Sequence, residues 1–590
     1  MFKRILVQLT RWRKSYLNDR NFLFLASIGV GLVVGLVSYA MKKLVWFIEH
    51  QLVNIQQNTR FEFAMLLFPM CGILLTVFIV QTFNKGKSGR GVSSIIHSVS
   101  RRSGTLSVFN IYRQFINGVV TVGFGGSTGL EAPIVVTGSS IGSNLARLFL
   151  LSPKERIVLL ACGAAAGIAS VFNTPVAGVL FAMEVLLTEF SIPTFIPVLL
   201  SAATGAVVAR ELGGAQLFTM TLQQWVMNAI PFYMLLGVFC GLVSVYFNRT
   251  HYWIETIFIR YKSFYPKALV GGFLLGVMVF LFPSLYGEGY HVLNELLQGR
   301  INTLLMDSHL PMAIFSDYML FVVVICILFV KVFATSITIS AGGGGGVFAP
   351  SLFTGAFAGL AFALFFKITG LKDLILVNFI AAGMVGLLSG VVHAPLTAIF
   401  LIAELTGGYT LFVPLMIVSA TSYFISRAFE PYSIYTAKLA RQGIILNNRE
   451  SIVLQNIDIQ EIITTDFTVL SRTDSLKKLI EIVSKTSQTI FPILNKEKAI
   501  EGLVEMDDLK PYLLKHEVYD LVLVKELMFE PTQIITMEDE MSLVMKKFDS
   551  SGSLLLPVVN TEGVFIGFAS KTILLNILRK SITRRQLDFE

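Results

Sequence analysis

One segment of this chain is written twice, and any fold it adopts must give both copies equivalent places. Asn173-Thr-Pro-Val-Ala-Gly-Val-Leu-Phe-Ala-Met-Glu184 returns as His393-Ala-Pro-Leu-Thr-Ala-Ile-Phe-Leu-Ile-Ala-Glu404, an offset of 404 − 184 = 220 that Gly163 and Gly383 share. A second pair, Gly125-Gly-Ser-Thr-Gly-Leu-Glu-Ala-Pro133 and Gly342-Gly-Gly-Gly-Gly-Val-Phe-Ala-Pro350, aligns at 350 − 133 = 217. A duplicated apolar domain with glycine-interrupted helices at matching positions is the pattern of a repeat-built transporter or channel. Such proteins hold their cargo on broken helix ends at the repeat interface.

Composition places the duplication in a membrane. Apolar residues make up 54% of the 590 positions and charged ones 14%, against roughly 25% charged in soluble domains. The charges are sparse from about residue 21 to 429 and frequent after 430. Apolar runs cover 22–39, 63–80, 195–209, 232–247, 270–282, 319–332 and 411–425. Several approach the roughly 20 residues that span a bilayer. The shorter ones, broken by glycine and proline, are tolerated at that depth only inside protein or beside a watery cavity. The pattern predicts a polytopic all-α membrane domain of two inverted repeats with re-entrant helices over 21–440, the repeats covering about 21–215 and 225–430.

The first 20 residues form a basic segment ahead of the first apolar run, which the positive-inside tendency places in the cytoplasm. A cleaved signal peptide fits less well, because the apolar run is long and Lys42-Lys43 follow it. The net charge of +9 is read as topology and lipid contact. A nucleic-acid partner would call for aromatics interleaved with a basic patch, a pattern not found here. Cys71, Cys162, Cys240 and Cys326 are scattered singly, without the spacing of a metal site, and are assigned to packing.

After residue 441 the texture changes to an α/β module. Glu461–Leu470, a helix at 475–485 and the runs 489–494 and 501–504 return in the same order at 524–528, 540–548, 554–559 and 566–569. Two such halves pack on each other. They resemble a tandem pair of CBS domains, over about 455–512 and 520–580, a module that in other proteins often senses adenine nucleotides. Of the usual nucleotide signature, the first copy keeps Asp508 but has Glu505 at the hydroxyl position. The second keeps Ser570 but has Ile573 at the acid position. Asp508 and Ser570 are the candidate nucleotide contacts, and a structural or dimerising module is ranked above a sensor.

The chemistry sits in the two glycine loops. In 125–133 the glycines free the backbone to expose its amides, and Pro133 is placed to open a helix over 134–149. The unpaired N–H groups of a helix N-terminus, helped by its dipole, bind an anion without any basic side chain. The loop 342–350 repeats the device ahead of a helix over 351–364. Glu131 stands inside the first loop, where its carboxylate would compete for the anion's own place. A capping role is the plainer reading, but an ionisable residue at membrane depth is functional by default.

With these residues in place, the chain resembles the CLC family of chloride channels and proton-coupled chloride exchangers over nearly its whole length. The family motif Gly-(Lys/Arg)-Glu-Gly-Pro reads Gly129-Leu-Glu-Ala-Pro133 here, and Gly-x-Phe-x-Pro reads Gly346-Val-Phe-Ala-Pro350. The segment Ser433-Ile-Tyr-Thr-Ala-Lys-Leu-Ala-Arg441 is similar to the one carrying the family's pore tyrosine. The resemblance implies that Glu131 is the gating glutamate. It likewise implies that Gly129, the amides of Val347 and Phe348, and the Tyr435 hydroxyl bind the central anion. It further implies a homodimer with one pore per subunit, in contact with membrane lipid, with chloride as the transported ion and no required cofactor. The CBS pair would then be cytoplasmic.

Three departures shape the functional reading. The motif Gly-Ser-Gly-Ile-Pro reads Gly89-Arg-Gly-Val-Ser93, so Arg90 stands with Gly89 and Gly91 where the anion is usually touched. Its alternative is to snorkel to the surface beside Lys85 and Lys87. Leu130 removes the basic residue next to the gate. Val185 occupies the place of the exchangers' inner glutamate, leaving Glu131, Glu184 and Glu189 as proton-path candidates. Glu184 has a repeat mate in Glu404, which favours a helix-contact role. The leading expectation is therefore a passive anion channel gated by Glu131, with a proton-coupled chloride antiporter as the alternative. A CBS-regulated cation transporter ranks low because its carboxylates are dispersed where hard cations want them clustered. An enzyme ranks last.

Overall fold

A computed structural model describes residues 18–59, 64–84, 91–187, 192–213, 223–261, 263–301, 317–372, 374–442 and 457–587. The chain separates into two units, Met1–Leu446 and Asn447–Glu590. The basic start of the chain, Gly89, Arg90 and Glu189 lie outside the described residues.

The first unit is helical. Its first half runs α1 (Asp19–Thr59), α2 (Ala64–Asn84), α3 (Gly91–Arg101), α4 (Phe109–Gly123), α5 (Glu131–Leu148), α6 (Pro153–Phe172), α7 (Pro175–Phe181), a π turn (Ala182–Leu186) and α8 (Ile192–Glu211). The second half runs α9 (Ile230–Ile259), α10 (Phe264–Leu281), α11 (Tyr290–Leu297), α12 (Asp317–Ala341), α13 (Phe348–Ile368), α14 (Leu376–Val392), α15 (Pro395–Leu405), α16 (Phe412–Phe429) and α17 (Ala437–Arg441). Eight helical segments among the described residues are long and apolar enough to cross a membrane, while α7, α14 and α15 are shorter apolar pieces. The unit is a polytopic membrane domain.

The repeat is carried into the packing. Helix α5 lies on α6 as α13 lies on α14; α6 meets α8 as α14 meets α16; α7 meets α15. Small residues permit the first two contacts. A Cβ on Gly163 would stand 2.0 Å from the carbonyl oxygen of Gly138, and one on Gly383 2.3 Å from that of Gly355. Close backbone approach through small residues is how membrane helices gain contact without a hydrophobic drive between them. Both α6 and α14 end on a left-handed residue, Asn173 at φ 58° and His393 at φ 61°. A proline then starts the next short helix at Pro175 and Pro395, where its missing N–H is not needed.

The helices behind the glycine loops begin earlier than the sequence predicts. Helix α5 starts at Glu131 and α13 at Phe348. The prolines are their third residues, because the first intrahelical bonds are Ile134 N–H to Leu130 O at 3.0 Å and Ser351 N–H to Val347 O at 2.9 Å. A third position also lacks an intrahelical acceptor, so proline is as tolerable there as at the first. The shift places Glu131 in the first helical turn.

The second unit is α/β: β1 (Ile463–Thr464), α18 (Leu476–Lys485), β2 (Ile490–Leu494), β3 (Ile500–Glu505), α19 (Met506–Leu509), β4 (Ile535–Thr536), α20 (Met541–Ser551), β5 (Leu555–Val559), β6 (Phe565–Ser570) and α21 (Lys571–Leu587). One sheet is ordered β1-β6-β5-β4 and the other is the β2-β3 hairpin. The halves trade segments. β1, at the start of the first copy, pairs antiparallel with β6 of the second, and Phe529, near the start of the second, bridges Leu503 of the first. Each half thus completes the other's hydrogen bonding, and Ile490, Leu503 and Phe568 form a core shared between them.

Candidate anion site between the repeats

The two glycine loops meet at a single point. Gly129 N–H donates to Gly346 O at 3.1 Å and Gly346 N–H donates to Gly129 O at 2.9 Å. Repeat-equivalent residues exchanging equivalent hydrogen bonds in an antiparallel bridge mark a local twofold axis between the loops. The bridge has little room for side chains: a Cβ on Gly129 would lie 1.9 Å from Glu131 Oε2, and one on Gly346 2.6 Å from the Ala132 methyl. Thr128 Oγ1 adds a 2.8 Å bond to Gly346 O. Helices α5 and α13 start on either side of this bridge, so their unpaired first-turn amides lie close to one locus.

Glu131 occupies that locus. Its side chain is 1% exposed, and Oε1 accepts a hydrogen bond from the Tyr290 hydroxyl. Oε2 has no hydrogen-bond partner. A Cβ on Gly129 would touch both Glu131 Oε2 and, at 2.8 Å, the Ala349 methyl, so the carboxylate lies beside the start of α13. A carboxylate of the first repeat thus sits against the helix N-terminus of the second, as an exogenous anion would. Val347 caps that helix and Phe348 begins it, and both are buried. The Phe348 ring packs against Phe172 at 5.6 Å and Phe181 at 6.0 Å between centroids, closing the locus on its apolar side.

Tyr435 is buried at 7% exposure. Its carbonyl accepts from Ser93 Oγ at 2.7 Å, and the preceding Ile434 N–H donates to Val391 O at 3.3 Å. The segment before α17 is thereby fixed to α3 and α14. Of the loop 89–91, only Gly91 is described; it opens α3 at φ 63°.

Glu184 and Glu404 perform a reciprocal task. Glu184 accepts from Leu396 N at 2.9 Å, Thr397 N at 2.7 Å and Thr397 Oγ1 at 2.6 Å, capping α15. Glu404 accepts from Val176 N at 3.0 Å and Ala177 N at 2.9 Å, capping α7. Each repeat's short helix is capped by the other's glutamate. Hydrogen bonds to a charged group contribute about 1.5–3 kcal/mol each, which gives the pair a structural reason to exist. Val185 follows in the π turn and is partly buried against the main core.

Sequence reasoning missed a set of ionisable groups around the first loop. Glu288 Oε1 accepts from Leu130 N at 2.8 Å. Lys331, 0% exposed, donates to Ser127 Oγ at 2.9 Å and Gly287 O at 3.4 Å, and lies 4.6 Å from the centre of the Phe353 ring. Lys42 of α1 donates to Val171 O, and a Cβ on Gly287 would lie 3.2 Å from Glu49 Oε1. Lys331 interrupts the apolar run 319–332 and Glu288 lies between two glycines. The rule that singled out Glu131, a charge at membrane depth, singles out both of them as well.

In the second unit, Asp508 Oδ2 accepts from Glu505 N at 3.0 Å, half of a capping box on α19. Ser570 Oγ accepts from Ile573 N at 3.4 Å at the start of α21. Both candidate nucleotide contacts are engaged in local caps.

Comparisons with known proteins follow this architecture. The family described as "Voltage gated chloride channel" matches residues 71–427, and the CBS domain matches residues 459–515. The H(+)/Cl(-) exchange transporter ClcA of Yersinia pestis bv. Antiqua (strain Angola) is 29% identical over 432 residues, covering 70% of this chain and 86% of its own length. The structure of a slow cyanobacterial Cl-/H+ antiporter superposes with a TM-score of 0.62 at 25% identity, covering 72% of this chain and 98% of its own. A eukaryotic CLC transporter, 18% identical, shares the fold over 93% of this chain and 97% of its own at a TM-score of 0.60.

Proposed function

The chain belongs to the CLC family of voltage-gated chloride channels, and from that premise we propose that it exchanges chloride for protons, with Glu131 as the group that serves both ions. The observation that carries the reading is the seat of Glu131: a buried carboxylate at the start of α13, with one oxygen unpartnered and the other held by a phenol. Ionised, it fills the anion's place. Protonated, it loses its attraction for the helix N-terminus and gives way to chloride, which the amides of Val347, Phe348 and Ala349 and the hydroxyl of Tyr435 then hold.

The passive-channel expectation rested on Val185. The relatives named above are an exchange transporter and an antiporter, which supports the antiporter alternative instead. Glu184 is not the inner proton carrier in this reading, since its carboxylate caps α15. We assign the CBS pair a structural role at the cytoplasmic face, with the N-terminus on the same side, in a homodimer with one pathway per subunit.

The test is flux in liposomes of purified protein under a chloride gradient, with chloride and proton movement recorded together. Exchange predicts protons driven against their own gradient. Chloride movement that never drives protons uphill contradicts it.

A further inference from the structure

At 1% exposure, Glu131 does not meet water directly, so its proton must pass through groups that touch both it and solvent. Glu288 and Tyr290 are two residues apart and both mostly buried, though less completely than Glu131. The Tyr290 hydroxyl donates to Glu131 Oε1, while Glu288 Oε1 accepts from the amide of Leu130, the residue before Glu131. Tyr290 senses the charge of both carboxylates. The loop between them is rigidly placed. Gly289 sits at φ 81°, and a Cβ there would strike the Phe353 ring at 2.6 Å. The charged groups facing Glu288 are Glu131, Glu49 and Lys42, together with Lys331, which is bonded to the carbonyl of Gly287. Lys42 and Lys331 offset part of the several kcal/mol that an isolated buried carboxylate would cost there.

We propose that Glu288 is the proton port of Glu131: it takes protons from water and passes them to Glu131 through the Tyr290 hydroxyl. In the inward step the Glu288 acid gives its proton to the Tyr290 oxygen as the Tyr290 proton moves to Glu131 Oε1. One O–H bond breaks and one forms at each transfer, leaving a Glu288 carboxylate, an intact phenol and a Glu131 acid. Water then reprotonates Glu288. The proposal rests on the exchange reading of Glu131 and adds the route by which that residue is loaded.

Liposome flux with four variants tests it. Glu288→Gln keeps a carbonyl oxygen for the Leu130 amide but does not titrate; Glu288→Asp keeps the titrating group; Tyr290→Phe removes the bridge; Glu131→Gln is the reference. Proton flux should fall roughly tenfold or more in Glu288→Gln and Tyr290→Phe, toward the ~10²–10⁴-fold scale of a lost general acid or base. Chloride flux should fall less, so that the chloride-to-proton ratio rises. Glu288→Asp should recover proton flux with a displaced pH profile. Wild-type proton flux and pH profile in Glu288→Gln, with protons abolished in Glu131→Gln, would overturn the port and leave the exchange reading standing. Protons still moving in Glu131→Gln would overturn both.

Discussion

Between the loops 125–133 and 342–350 the backbone is repeated down to the reciprocal bonds of Gly129 and Gly346, yet the side chains diverge. The first loop carries Glu131 and is tied to Lys331 through Ser127 and to Glu288 through the Leu130 amide. The second carries Val347 and Phe348 and offers backbone amides beside apolar side chains. What is symmetric is what an anion needs, two helix N-termini close to one point. What is asymmetric is what a proton needs, a titrating carboxyl and its neighbours. In the proposed exchange, duplication supplies the binding geometry and the departure from duplication supplies the coupling.

The largest effect should come from removing the asymmetry. Glu131→Gln should bring proton movement to background, a loss of at least about a hundredfold on the scale of a deleted acid-base group, while chloride still passes. Paired proton and chloride flux assays read this directly, and residual coupled protons would show that the first loop is not the special one.

Next come the glycines that bring the loops together. Gly129→Ala pushes a methyl into the seat of Glu131 and Gly346→Ala pushes one against Ala132. Overpacking of this kind costs about 1–3 kcal/mol, so both variants should melt earlier in detergent. Only Gly129→Ala should also alter the pH dependence of chloride flux, because only it touches the carboxylate. Equal pH profiles would erase the distinction between the loops.

The glutamate caps sharpen the comparison from the symmetric side. Glu184→Ala and Glu404→Ala each leave amide donors of a short helix unpaired, which costs about 1–3 kcal/mol. The two should be destabilised similarly in thermal unfolding. Among folded molecules, the conservative Glu184→Gln should keep the wild-type chloride-to-proton ratio. A selective loss of protons there would make Glu184 a carrier and break its equivalence with Glu404.

The smallest effect belongs to the second unit. Burial works to raise the Asp539 carboxyl, but the 2.6 Å bond from Lys547 and the Thr536 amide outweigh it and hold the group below its ordinary value. A depressed carboxylate stabilises the fold above its unfolded pKa, and that contribution disappears as pH falls through the folded value. Asp539→Asn should speed hydrogen exchange across β4 and α20 at neutral pH, by about 1 kcal/mol of local stability, and the difference from wild type should shrink in acid. A difference that persists in acid would show that the Lys547 pair is not its origin.

Much of the site was legible because it is local in sequence. The glycine loops, Glu131, the repeat mates Glu184 and Glu404, and the doubled α/β module all follow from residue order. The helix starts were not legible, since proline fits the third position as well as the first and the sequence does not choose between them. The ionisable groups around the first loop were missed for another reason. Tyr290, Lys331 and Lys42 come from three separate helices, α11, α12 and α1, with Glu288 in the turn before α11, and their approach to the first loop leaves no periodicity or motif behind. Lys331 was the available clue, a lone cation inside an apolar run.

The most direct test is the reversal potential of purified protein in a bilayer at fixed chloride and varied pH gradient, for wild type and Glu131→Gln. For exchange, the wild-type potential departs from the chloride equilibrium value and moves with the pH gradient, while that of Glu131→Gln stays at that value throughout. A wild-type potential pinned at chloride equilibrium whatever the pH gradient would contradict it and make the protein a channel.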